Sequence, residues 1–437
     1  MKASIRDECT RKADGFLRRH HMHPEDIDFE ACVRESAADM KSGLEGRKVS
    51  YEMLPCYIGL KPFNIADAKA VLVLDAGGTN LRLATAVCQD GEIKLQLCEQ
   101  QKIPGVEHEV SIAELFDTIA DRCVPYLPEV KRIGFCFSYA MEMQENGDGK
   151  ICFICKSIKL KDAPGKLVAQ ELKNALMRRD QKEMGIAVVN DSVAVALAAR
   201  ATKARYGGYI GLIIGTGFNI CYSEYVSEIR TIRNRSYEAP DMLINMESDR
   251  FNKMTRGTFD HLYEQYTGDN DHPTMKMLTG AYLGGLCHLC FKGAAEEGLV
   301  SEETGEALQA MKGIGTEQLC YFLDECDDSA IAKCCASEED AHVLRAIAEL
   351  LIERAAKLVA ALLVPVLRRS YRYEKNLPVC ICAEGSTIQK VKGLKEMICR
   401  YLSENTGREE AFEMVIIDHA TIRGTAIAAL QNEAKVV

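Results

Sequence analysis

The residues Asp75-Ala76-Gly77-Gly78-Thr79-Asn80 interrupt an otherwise apolar stretch, VLVLDAGGTNLRLATAV (71–87), and the interruption is richer than chain reversal requires. A hairpin needs only two turn residues. Paired glycines leave the backbone N–H groups of a turn unobstructed by Cβ atoms, so that they can converge on an anion such as a phosphate oxygen. Thr79 and Asn80 add side-chain donors, and Arg82 returns on the second strand as a charge-assisted partner for the same anion. Asp75 ends the incoming strand and suits Mg2+ held through a water, because that ion takes one or two carboxylates together with phosphate oxygens. Read alone, the stretch serves equally as a capped hairpin loop.

The same layout returns in YIGLIIGTGFNICYSEY (209–225), where Gly215 and Gly217 flank Thr216, whose hydroxyl and amide suit a transferring phosphoryl group. A third turn, Glu384-Gly385-Ser386, leads into a helical pattern, and a helix N-terminus favours anions. A strand ending in Asn190-Asp191 then supplies an acid suited to accept the proton of an attacking hydroxyl during phosphoryl transfer. The competing role for Asp191, or for Ser192, is the N-cap of the helix VAVALAAR.

These groups need elements to position them. A chain of 437 residues exceeds what one compact core usually supports, so two lobes are expected. Residues 1–60 read as polar helices with an apolar stripe at Phe29, Val33 and Met40, ended by Gly43 and Gly46. Strands follow from 71 to 99, with a hairpin turn at Asp90-Gly91. Helices at 111–124 and in AQELKNALMRR alternate with the strands KRIGFCFSYA and GIAVVNDS. After the second glycine turn come a long helix at 340–368, the strand-to-helix turn VCICAEGSTIQK, the strand EMVIID and the small-residue helix RGTAIAAL. Strands alternating with helices imply an α/β architecture with covered sheets. The recurrence of strand, glycine turn and strand implies two related lobes that face each other.

Composition narrows the partners. Hydrophobic content of 47% and charged content of 27% are ordinary for a globular protein. Lys plus Arg number 54 against 64 Asp plus Glu, a net charge of −10, which argues against nucleic acid or an anionic membrane as a partner. The most apolar helical stretch, 358–367, is too short to span a bilayer and follows Glu353, Arg354 and Lys357. The N-terminal residues lack an apolar leader, so a cytoplasmic location is expected. The 19 cysteines lie scattered in apolar runs and read as small buried hydrophobes. Cys152/Cys155 and Cys287/Cys290 have metal-like spacing but sit singly inside apolar stretches, where core filling is the preferred reading.

In its ordered motifs the sequence resembles the hexokinase/glucokinase family, within the group sharing the actin-like ATPase fold. YEMLPCY, LDAGGTNLR, FCFSYA, CKSIKL, VVNDS, GLIIGTGFNICY, INMES, KMLTGAYLGGL and EGST follow the family's order over most of the chain. The resemblance implies a two-lobed fold in which each lobe holds a mixed sheet flanked by helices, with the active-site cleft between the lobes. The small lobe would comprise 64–190 plus 424–437, and the large lobe 1–63 plus 191–423. It implies ATP- and Mg2+-dependent phosphorylation of a hexose, glucose foremost, at the 6-hydroxyl, the first step of sugar metabolism. Asp191 would deprotonate that hydroxyl, and Ser138, Lys156, Asn190, Asn219 and Glu247 would bind the sugar. Asp75, Gly77, Gly78, Thr79, Asn80, Arg82, Gly215, Thr216, Gly217, Gly385 and Ser386 would bind the nucleotide, Asp75 also holding Mg2+ through water.

The departures from the family pattern are specific. Met275 stands where the family has a second sugar-binding glutamate, with Asp269 and Asp271 as candidate substitutes. Tyr139-Ala140 replaces a Phe-Pro, Cys155 replaces a threonine, and Glu353 stands where the family has a threonine near the nucleotide. They keep two further readings open: a non-catalytic sugar or nucleotide sensor on the same scaffold, and a kinase for mannose, fructose or an amino sugar.

Overall fold

The computed structural model describes residues 2–59, 70–89, 92–154, 158–181, 183–202, 204–233, 237–268, 271–326, 329–407 and 411–431. Lys156, Cys155, Asp269 and the expected turn at Asp90-Gly91 lie outside the described residues.

Two sheets organise the chain. The first has five strands in the order Gly185–Val189, Arg132–Phe137, Val71–Ala76, Asn80–Gln89, Glu92–Lys102. Its first three strands are parallel, and the last two are added antiparallel as successive hairpins. The second has six strands in the order Leu54–Pro55, Asp241–Asn245, Phe218–Tyr225, Gly208–Ile214, Val379–Glu384, Phe412–Ile416. It too joins a parallel trio (Gly208–Ile214, Val379–Glu384, Phe412–Ile416) to antiparallel strands folded back from one edge. The echo between the two glycine turns is therefore topological: each links the edge of a parallel trio to its first antiparallel strand. Val71–Ala76 is buried at every position: its apolar residues are those of a covered strand, and Asp75 is buried against Arg82.

Two helices made of small side chains lie between the sheets. Asp191–Arg200 packs on the six-stranded sheet, Ala420–Gln431 on the five-stranded one, and the two pack on each other. A Cβ at Gly424 would lie 1.7 Å from the Ala194 carbonyl oxygen, and one at Gly211 would lie 2.0 Å from that of Ser192. Only glycine permits such backbone approach. The second helix starts at Ala420, ahead of the expected lobe boundary at 424.

The long helix runs Glu338–Arg369, capped by Ser337 with acids in its first turn and Arg368 and Arg369 in its last, matching the helix dipole. Leu344, Ile347, Leu351, Leu358 and Leu362 face the core as its period requires. No described helix is long and apolar enough to cross a membrane. Cys287 and Cys290 are buried in the helix Leu283–Glu296, and burial raises both thiol pKa values.

Candidate active site

The ends of both sheets open onto two adjoining cavities. One, of about 150 Å3, is lined by Gly77, Gly78 and Ser138 from the five-stranded side and by Thr216, Gly217, Phe218, Asn219, Glu247 and Asp249 from the six-stranded side. The other, of about 230 Å3, is lined by Asp75, Gly77, Gly78, Thr79, Asn80, Arg82, Glu384, Gly385 and Thr421 among others. Asp191, Ser138 and the glycine pair line both. An acid thus stands on the wall shared by a smaller chamber rich in polar side chains and a larger one formed by the first and third glycine turns.

The first glycine turn differs in detail from a simple amide nest. Gly77 N–H donates to the Asn80 carbonyl at 3.0 Å, so this amide closes the turn instead of facing a ligand. The Gly77 carbonyl accepts the Tyr139 hydroxyl at 2.9 Å. In a trans peptide C=O and N–H point opposite ways, so Tyr139 fixes the direction of the Gly78 amide. Asp75 and Arg82 are direct cross-strand partners, and Arg82 Nε donates to Asp75 Oδ2 at 2.7 Å. The expected anion contact and the expected metal carboxylate are therefore bound to each other as an ion pair. Burial raises the Asp75 pKa, the Arg82 charge opposes this, and Asp191 adds to the rise.

The second and third turns touch. A Cβ on Gly215 would stand 3.4 Å from the Gly385 Cα, and Gly385 adopts φ 125, where a side chain is strained. Gly215 N–H donates to the Gly217 carbonyl at 2.9 Å, while its own carbonyl accepts Gly280 N–H at 2.8 Å and Thr387 Oγ1 at 2.9 Å. Gly215 is thereby a structural clamp behind Thr216, and neither it nor Ser386 is among the residues that line these two cavities.

Beneath the first cavity runs a continuous polar network. Asn190 caps the helix Asp191–Arg200, its Oδ1 accepting Ser192 N–H at 3.0 Å and Ser192 Oγ at 2.7 Å. Asn219 Nδ2 donates to Asn245 Oδ1 at 2.8 Å, and Asn245 Nδ2 donates to Glu247 Oε1 at 2.7 Å. Asn219 Oδ1 accepts Ile220 N–H at 2.8 Å. Both ends of the Asn219 amide are thus engaged, which fixes its rotamer at the cavity wall. Glu247 sits at φ 51, ψ 57, a conformation that side-chain-bearing residues adopt rarely and at functional sites often.

The cap and the acid are separate residues: Asn190 is the N-cap, and Asp191 stands at the first helical position with Oδ1 accepting Ser192 N–H at 2.8 Å. Of the sequence candidates, Ser138, Asn190, Asp191, Asn219, Glu247, Asp75, Gly77, Gly78, Thr79, Asn80, Arg82, Thr216, Gly217 and Gly385 line one cavity or both. Met275 is buried within the helix Pro273–Leu278; Asp271, offered as a substitute, is not among the residues lining the smaller cavity, and its backbone carbonyl accepts from Lys276. Glu353 accepts Tyr401 Oη at 2.8 Å and pairs with Arg400, so it braces the long helix against Leu394–Asn405. Sequence reading missed Asn245, Asp249, Glu384 and Thr421. Asp249 and Glu384 left signals, one an acid two residues after Glu247 and the other the acid that opens the Glu384-Gly385-Ser386 turn; Asn245 and Thr421 are ordinary residues of a strand and a helix.

A family model described as hexokinase matches residues 209–431, and a second matches residues 13–201. The chain belongs to the hexokinase family. It is 27% identical to Hexokinase-2 of Equus caballus over 416 residues, covering 88% of this chain and 44% of that protein. It is 26% identical to a hexokinase of Schistosoma mansoni over 387 residues, covering 81% of this chain and 83% of that one. The chain thus spans less than half the length of the vertebrate hexokinases it matches. Among solved structures, a Schistosoma mansoni hexokinase complexed with glucose superposes with a TM-score of 0.81 at 22% identity, over 97% of this chain and 99% of that chain. The hexokinase fold is therefore that of this chain, two-lobed and mixed α/β.

Proposed function

We propose that this protein transfers the γ-phosphoryl group of ATP to the 6-hydroxyl of a hexose, glucose being the first substrate to test. The observation that carries the reading is Asp191 on the wall common to both cavities. A hexose in the smaller chamber meets amides and carboxylates (Asn190, Asn219, Glu247, Ser138) that satisfy hydroxyls as donors and acceptors. A nucleotide phosphate tail in the larger meets the Gly78 and Thr79 amides and Arg82 from one side and the Gly385 turn from the other. Asp191 takes the proton as the hydroxyl oxygen attacks the γ-phosphorus and the bond from that phosphorus to the bridging oxygen breaks, releasing ADP.

The donor set fits Mg2+. Asp75, Asp191 and Glu384 face the larger cavity with Arg82 as counter-charge, and burial of Asp75 and Glu384 raises the pKa of each, a cost that a cation removes. Asp75 would hold the ion, which when bound neutralises phosphate charge. The test is formation of sugar phosphate from Mg-ATP across a panel of glucose, mannose, fructose and glucosamine. Folded protein that turns over none of them removes the catalytic reading and leaves a sensor; turnover confined to another hexose renames the substrate.

A further inference from the structure

The smaller cavity holds a carboxylate that the polar network does not use. Asp249 follows Glu247 by two residues in the short turn Ser248–Arg250 and is 5% exposed. Its Oδ1 is buried and meets no hydrogen-bond donor among the described residues. Its Oδ2 lies 3.0 Å from Nδ1 of His272, at ion-pair distance but without hydrogen-bond alignment. A buried carboxylate oxygen left without a donor is unfavourable, and such groups persist where a ligand completes them.

The surrounding backbone is strained on both sides. Glu247 at φ 51 and His272 at φ 58 are left-handed non-glycine residues that flank Asp249 in space. His272 precedes the helix Pro273–Leu278, which is fastened to the Asp249 turn by Thr274 Oγ1 donating to the Phe251 carbonyl at 2.6 Å. Met275 lies on that same helix, and a thioether is only a weak acceptor.

The geometry points to Asp249 as a specificity-determining residue whose Oδ1 accepts a hydrogen bond from one hydroxyl of the bound hexose, with His272 positioning the carboxylate through Oδ2. This rests on the sugar-kinase reading above. An ionised carboxylate only accepts, so the group it selects is a hydroxyl or an amine, and a sugar bearing an anionic substituent at that position is excluded.

The test compares wild type, Asp249→Ala, Asp249→Asn and His272→Gln on a hexose that the wild type turns over and on its single-deoxy analogues. Removing a charged acceptor of a substrate hydroxyl should raise the sugar KM by about ten- to a hundred-fold in Asp249→Ala. The ATP KM should stay within about two-fold, as expected when only sugar binding is lost. One deoxy analogue that the wild type rejects should no longer be distinguished by Asp249→Ala, and less well by Asp249→Asn. His272→Gln should show a smaller rise in sugar KM. Should Asp249→Ala fail to fold, the same ratios are read on Asp249→Asn. A role confined to holding the helix Pro273–Leu278 in place predicts a lower Tm for Asp249→Asn with deoxy ratios unchanged, and that result overturns the inference. Deoxy ratios identical in all four proteins, with wild-type turnover intact, overturn it alone; absence of wild-type turnover overturns the kinase reading and this one together.

Discussion

Replacing Asp191 by alanine separates chemistry from folding, because the helix cap belongs to its neighbour. Asn190 Oδ1 accepts the Ser192 amide and hydroxyl, so Asp191→Ala removes one of two acceptors on that amide and leaves the cap in place. What the helix loses is an acid at its first position, worth about 0.3–1 kcal/mol. Relief of repulsion with Asp75 offsets part of this, since Asp191 raises the Asp75 pKa. The net change in stability is therefore below about 1 kcal/mol, and the Tm should move by less than about 4 °C. Loss of a general base costs about 10²- to 10⁴-fold in rate, equivalent to about 2.7–5.4 kcal/mol at ~1.36 kcal/mol per decade. The assay is the initial rate of sugar phosphate formation at saturating sugar and Mg-ATP, with a calorimetric melt of the same preparation. Asn190→Ala is the control: it removes the cap at a cost of about 0.5–2 kcal/mol and should lower Tm further than Asp191→Ala does. Retention of more than about a tenth of kcat by Asp191→Ala, when the expected loss is at least a hundredfold, would refute the base assignment. So would unfolding of that variant, which would return Asp191 to a structural role.

Further outcomes follow from other contacts. Tyr139→Phe frees the Gly77 carbonyl, a hydrogen bond of about 1 kcal/mol, and should raise the ATP KM about three- to ten-fold while sparing the sugar KM; an unchanged ATP KM counts against the pinned turn. Arg354 and Asp260 form a bidentate pair with side chains only 2% and 3% exposed, so Asp260→Ala strands a buried guanidinium and should cost about 3–5 kcal/mol in denaturant unfolding. Burial raises the Asp148 pKa above 3.8, against three backbone amides that lower it. A raised folded-state carboxyl pKa contributes stability below the unfolded value that is lost as pH climbs through the folded one. Asp148→Asn should therefore gain in Tm relative to wild type as pH rises from about 3.8; the opposite slope contradicts the direction.

The local elements were legible because each is encoded over a few residues. Alternating or continuous apolar runs specified the strands on either side of both glycine turns, and Ser111 with Glu114 forms the capping box that begins the helix Ile112–Cys123. The cross-strand pair Asp75–Arg82 follows from the hairpin register, and the structure adds that the two side chains are ion-paired where they line the larger cavity.

By itself the sequence determined the repeated strand–glycine turn–strand units, the acid after the strand Gly185–Val189 and the family, since these rest on order and spacing along the chain. Tertiary structure alone decided that Asn190 caps the helix and leaves Asp191 to the cavities, that Asn245 holds Glu247, and that His272 meets Asp249. It also decided that the helices Asp191–Arg200 and Ala420–Gln431 touch at Gly424. Two of these contacts, Asp249 with His272 and Ala194 with Gly424, join residues far apart in the chain, which hydrophobic period and turn chemistry cannot bring together; the Asn190 cap and the Asn245–Glu247 bond join near neighbours, where packing selected one local hydrogen-bond partner among several.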